Sequence, residues 1–83
     1  MREKLLELLQ ARPFRAFRVE LTSGTVHVIR HPDQAMLSGD LAFIGVPRPD
    51  APYAGPDYAD VAMVSTHHIT KLEVLQPASS AGQ

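Results

Sequence analysis

Arg12-Pro-Phe-Arg-Ala-Phe-Arg-Val-Glu-Leu-Thr-Ser-Gly24 is the stretch that decides the fold, because the hydrophobic period changes inside it. Upstream, Leu5, Leu6, Leu8 and Leu9 recur at helical spacing, with Arg2, Glu3, Lys4, Glu7 and Gln10 on the other side. Downstream of Pro13, Phe17, Val19 and Leu21 alternate with Arg18, Glu20 and Thr22 at strand spacing. Pro13 disfavours helix at Arg12, and Ser23-Gly24 permits a tight turn into a second strand. The pattern predicts a short helix over 2–11 that feeds directly into a β-meander. Glu3 and Glu7 form a like-charged i,i+4 pair, so this helix depends on docking. Phe14 and Phe17 are placed to close the gap between helix and sheet.

Residues 25–29 complete the first hairpin, with Val26 and Val28 expected on one face and His27 and Ile29 on the other. Arg30-His31-Pro32-Asp33 breaks that strand, since Pro32 cannot donate to a ladder. A short strand or turn resumes over 33–37, and Ser38-Gly39-Asp40 reads as a second turn. Leu41-Ala-Phe-Ile-Gly-Val46 is apolar on both faces apart from Gly45, which implies cover on the outside. Residues 47–60 hold four prolines and a glycine and read as a long surface loop. Strands are expected again over 61–66 and 70–75, separated by a corner at His67-His68. The expected core is Leu5, Leu9, Phe17, Val19, Leu21, Val28, Phe43, Met63, Ile69 and Leu72. The whole reads as one domain over 1–76, with 77–83 a disordered tail by composition.

Eighty-three residues suffice for one small core. The chain has no cysteine, which excludes a disulfide framework and thiolate metal sites and suits a cytoplasmic location. The charged, amphipathic N-terminus is unlike a signal peptide. No apolar run approaches the ~18 residues of a membrane span. Net charge is −1, divided into a balance of +3 over residues 1–30 and −4 over the remainder. Such asymmetry fits a basic binding face, a head-to-tail contact between subunits, or simply solvated charge.

One helix followed by about five short strands, with a corner before the last, suits a small, strongly bent antiparallel β-barrel. The succession Pro-Phe-x-x-Phe-Arg-Val-x-Leu-x-x-Gly from Pro13, then Ile-Arg-His-Pro-Asp, then His-Ile-Thr-Lys-Leu-Glu from His68, resembles a family of short uncharacterised bacterial proteins. The resemblance covers residues 5–75 apart from the proline-rich loop, and that family carries no assigned activity. In architecture the chain is also similar to the Sm-like RNA-binding fold. The Lys-His step before the last strand of the bacterial Sm-like RNA chaperone has a loose counterpart in His67-His68, with histidine in place of lysine. That similarity implies RNA or DNA binding.

Candidate chemistry is sparse. His67 and His68 with His27 or His31 could supply imidazole ligands to a metal, yet adjacent strand residues face opposite ways and no helical His-Glu-x-x-His motif exists. His31-Pro32-Asp33 reads either as a tuned His–Asp couple or as a plain turn. Ser23, Ser38 and Ser65 lie in no nucleophile elbow. No catalytic set, cofactor or metal is therefore expected. Arg12, Arg15 and Arg18 interleave with Phe14 and Phe17 as nucleic-acid surfaces do, although alternation turns Phe17 inward. Tyr53 and Tyr58 are the plausible exposed aromatics and candidate partner anchors. Ile44, on the two-faced apolar strand, is the candidate self-association contact, with Val46 and Val64 beside it. The expectation is a non-enzymatic module that self-associates or docks on a protein partner, with nucleic-acid binding as the alternative.

Overall fold

A computed structural model describes residues 1–48 and 58–75. Tyr53, most of the proline-rich loop and the C-terminal tail lie outside the described residues. Helix α1 (Arg2–Gln10) is followed by β1 (Phe17–Leu21), β2 (Val26–Ile29), β3 (Ala35–Ser38), β4 (Leu41–Val46), β5 (Asp60–Ser65) and β6 (Ile69–Val74). Short 3-10 turns at Pro32–Gln34 and Thr66–His68 separate β2 from β3 and β5 from β6. The fold is mainly β with one N-terminal helix. Its strands form two antiparallel three-stranded sheets, in the orders β2-β1-β6 and β3-β4-β5. Among the described residues no ladder closes the two sheets into a barrel.

The period switch at Pro13 marks the boundary between helix and sheet. Leu5 is buried in α1 while Leu8 and Leu9 pack against the core from its rim. Arg2 Nε donates to the Gly39 carbonyl at 2.6 Å, tying the helix to the β3–β4 turn. Phe14 is half-buried with its ring centroid 6.0 Å from that of Phe17, which spans the helix–sheet gap as expected. Phe17, Val19 and Ile29 fill the inner face of the first sheet, and Ala35, Ala42, Ile44 and Val64 that of the second. Burying side chains of this size contributes about 1.5–3 kcal/mol each for the larger ones, which is what holds two small sheets together.

Three strands face the opposite way from the expectation. The first hairpin pairs Phe17 with Ile29 and Val19 with His27. Its connection is Thr22-Ser23-Gly24, with Gly24 at φ 92° and the Leu21 N–H bonded to the Thr25 carbonyl. One more residue in the turn than a two-residue hairpin moves every side chain of β2 to the other face. Ile29 is therefore core, while Val26 and Val28 lie outward beside Glu20 and Arg18.

In the second sheet the inner residues are Ala42 and Ile44 of β4 and Val64 of β5. Phe43 is only half-buried and Met63 is 70% exposed. Ile44, expected at a subunit contact, is 1% exposed and belongs to the core.

The break at Pro32 is held by one side chain. Gln34 is 5% exposed. Its Oε1 accepts from the Arg30 N–H at 2.8 Å, and its Nε2 donates to the carbonyls of Val28 at 2.8 Å and Gly45 at 2.9 Å. The amide thus substitutes for ladder bonds where the strand leaves one sheet for the other, and it links β2 to β4 across the corner.

Candidate functional site

The register of the second sheet assembles a surface from residues far apart in sequence. Met36 pairs with Phe43, and Phe43 with Met63, so these three side chains form a row across the outer face. Leu41 lies on one side of that row, flanked by Ser38 and Ser65, and Gly45 paired with Val61 lies on the other. Met36 is 62% exposed, Val61 55% and Leu41 44%. An apolar patch of this kind on one sheet face is often a functional surface.

Tyr58 completes this face. A Cβ added to Gly45 would stand 2.9 Å from ring carbons of Tyr58, so the ring rests directly on the glycine. The glycine leaves room for the ring, and the ring covers backbone that glycine would otherwise leave bare. Tyr58 is accordingly half-buried on its own sheet rather than projecting as an exposed anchor. A shallow groove of about 160 Å³ runs along the face, lined by Asp33, Met36, Phe43, Gly45, Tyr58 and Val61.

The other sequence candidates do not converge on it. Arg12 and Arg15 are exposed in the segment joining α1 to β1, and the peptide bond between Arg12 and Pro13 is cis. Arg18 stands on the outer face of the first sheet opposite Glu73, with Nη1 3.6 Å from its carboxylate. His67 and His68 lie in the 3-10 turn before β6, and both are exposed. His67 Nε2 is 3.6 Å from the Asp40 carboxylate, and the His68 carbonyl accepts from the Thr22 N–H. The His31 carbonyl likewise accepts from the Gln34 N–H. At both corners it is the main chain of the histidine, and not its imidazole, that makes these bonds. His27 is half-buried on the Val19 side of its sheet. Among the described residues no three of His, Cys, Asp and Glu come together as a group able to hold a metal ion. No helix among them is long and apolar enough to cross a membrane.

The face can bind apolar matter. Met36, Phe43, Val61 and Met63 escaped the sequence reading because β4 and β5 are apolar on both sides. The chain matches no protein-family model, no curated protein and no solved structure.

Proposed function

We propose that this protein is a non-enzymatic interaction module that associates with a second copy of itself through its second sheet. The row Met36–Phe43–Met63, in register across three strands and largely open to water, carries the reading. The exposed methionines and aliphatics leave on the order of 400 Å² of apolar surface in water, about half of what one partner buries in a standard interface. The row Met36–Phe43–Met63 is itself uncharged and methionine-rich, which suits a like surface better than a charged one. The two sheets read as the halves of a small Sm-like barrel, hinged where Pro32 interrupts the strand. The order of helix, bent strands, 3-10 turn and last strand supports that reading. A cytoplasmic location fits the absence of cysteine.

The competing reading is RNA or DNA binding. Against it stand the engagement of Arg18 with Glu73, the carboxylate beside His67, and too few basic residues for strong phosphate neutralisation. Sedimentation equilibrium on the full chain tests the proposal, with wild type self-associating at high micromolar concentration. A strictly monomeric wild type that shifts short oligonucleotides in a salt-dependent manner would give the competitor its place.

A further inference from the structure

The outer face alone is small for a stable dimer, and the free edge of β5 borders it. β4 occupies one edge of β5, and among the described residues no strand occupies the other. The Thr66 N–H donates to the Asp40 carbonyl. In an antiparallel ladder the bonding residues alternate, so Val64, Ala62 and Asp60 bond towards β4. Val61, Met63 and Ser65 therefore turn their N–H and C=O groups to the empty edge. The Val61 N–H agrees with that phase, because its partner is the Asp60 carboxylate at 2.8 Å and not β4.

Among the edge strands of the described residues, β5 and β6 are chemically different. β6 carries Lys71 and Glu73, 3.9 Å apart and both exposed, with Glu73 also beside Arg18. Charges of this kind deter strand addition. Beyond Asp60, β5 presents Val61, Met63 and Ser65 with no charge and no proline. A cleft of about 310 Å³ lies beside Met63, Val64 and Ser65, walled by Leu21, Thr22 and Ser23 of the first hairpin. The hairpin thus stands off from the strand.

Resting on the self-association reading, we infer that the β5 edges of two copies pair antiparallel about a two-fold axis at Met63, joining two three-stranded sheets into one of six strands. In this register Met63 faces the second copy's Met63, Val61 faces its Ser65, and Ala62 faces its Val64. Met63 and Ser65 each donate once and accept once across the axis, and the Val61 N–H exchanges the Asp60 carboxylate for the second copy's Ser65 carbonyl. Asp60 passes to a position opposite the second copy's Thr66, which keeps the two carboxylates apart. The outer row then runs unbroken from Met36 through Phe43 and Met63 into the same three residues of the other copy. A contact between β5 of one copy and β6 of the next would instead set Met63 and Val61 among Lys71 and Glu73. The isologous pair avoids that mismatch.

Three variants at Met63 and one control at Met36, all in the full chain, test this. Met63→Pro removes an outward N–H that the monomer leaves unused, so it spares the β4–β5 ladder. It should raise the dimer Kd by more than about tenfold while the far-UV circular dichroism of the dilute protein stays unchanged. Met63→Lys sets two like charges at the axis and should act in the same direction, which covers a proline variant that fails to fold. Met63→Cys introduces the chain's only thiol. The facing Cα atoms lie about 5.5 Å apart in such a pair, within disulfide reach. Mild oxidation should then give a covalent dimer, whereas Met36→Cys, equally exposed but two strands from the axis, should not. A dimer that survives both Met63→Pro and Met63→Lys, or a ring of more than two copies, overturns the edge pairing and leaves self-association standing. A wild type that stays monomeric at high micromolar concentration overturns both.

Discussion

Replacing Gln34 with methionine keeps the length of the side chain and removes all three of its hydrogen bonds. The bond to the Gly45 carbonyl is buried, and those to Arg30 and Val28 are part-buried. Orphaning a buried partner costs about 1–3 kcal/mol, so about 2 kcal/mol is assigned to Gly45 and about 1 kcal/mol to each of the others. The thioether recovers about 1 kcal/mol through apolar burial, which leaves a net loss of about 3 kcal/mol. A domain of this size is stable by about 4–12 kcal/mol, so the loss takes a large share of the total. It corresponds to a fall of about 12–24 °C in Tm.

Equilibrium urea unfolding followed by circular dichroism measures it directly, with an unchanged slope showing that the surface exposed on unfolding is the same. Gln34→Glu sharpens the test. It keeps an acceptor for the Arg30 N–H but turns a carboxylate oxygen towards two carbonyls, which raises the folded-state pKa of the new carboxyl. A raised folded pKa means that stability is present below the unfolded value of about 4.3 and is lost as pH rises through the folded one. The glutamate variant should therefore be weaker than the methionine variant at neutral pH and recover on acidification. A methionine variant within about 0.5 kcal/mol of wild type would refute the claim that this side chain holds the corner.

Gly45→Ala should destabilise wild type by about 1–2 kcal/mol, because the new methyl meets the Tyr58 ring. In a Tyr58→Ala background the same change should instead stabilise by about 0.5 kcal/mol, since alanine outperforms glycine in a strand; urea melts of the four proteins check the reversal. Ile44→Lys should abolish folding, as circular dichroism will show, because that position is closed to solvent, while Met36→Lys leaves the fold intact. Coupling between Arg18 and Glu73 in a double-mutant cycle should not exceed about 0.5 kcal/mol and should vanish at high salt, because both side chains remain well hydrated.

How much of this was legible in the sequence depended on whether an element mixed polar and apolar residues. In α1 and β1 they alternate cleanly, and both were read almost to their boundaries. β6 was equally clear, with Leu72 and Val74 on the inner side and Lys71 and Glu73 outside. β4 has no polar residue, so its phase could not come from its own composition. The marker lay in its neighbours: Ser38 and Ser65 both pair with Leu41, and two serines on one face label that face as outward. Reading the pairs rather than the strand would have turned Phe43 and Met63 out and Ile44 in. The β2 error came from counting two turn residues where Thr22-Ser23-Gly24 makes three. Gln34 was overlooked for a different reason. A buried amide is dictated by unpaired carbonyls at a sheet corner, and those exist only once the chain has folded. Tyr58 could be found as an aromatic but not as the cover of Gly45, because no local sequence pattern sets two residues so far apart in the chain against each other.

Joining the two sheets through a side chain, rather than through a shared ladder, also governs how the molecule loosens. Backbone hydrogen bonds run within each sheet, and the passages between the sheets are short turns at Pro32–Gln34 and Thr66–His68. An opening that frays β3 from β4 need not break any bond between β1 and its neighbours. Amide protons should then exchange in two tiers: those of β1, central in its sheet and anchored by Phe17 and Val19, only on global unfolding, and those of β3 through a cheaper, local opening that starts when Gln34 lets go. The corner is thus the seam along which one small domain divides into two cooperative units.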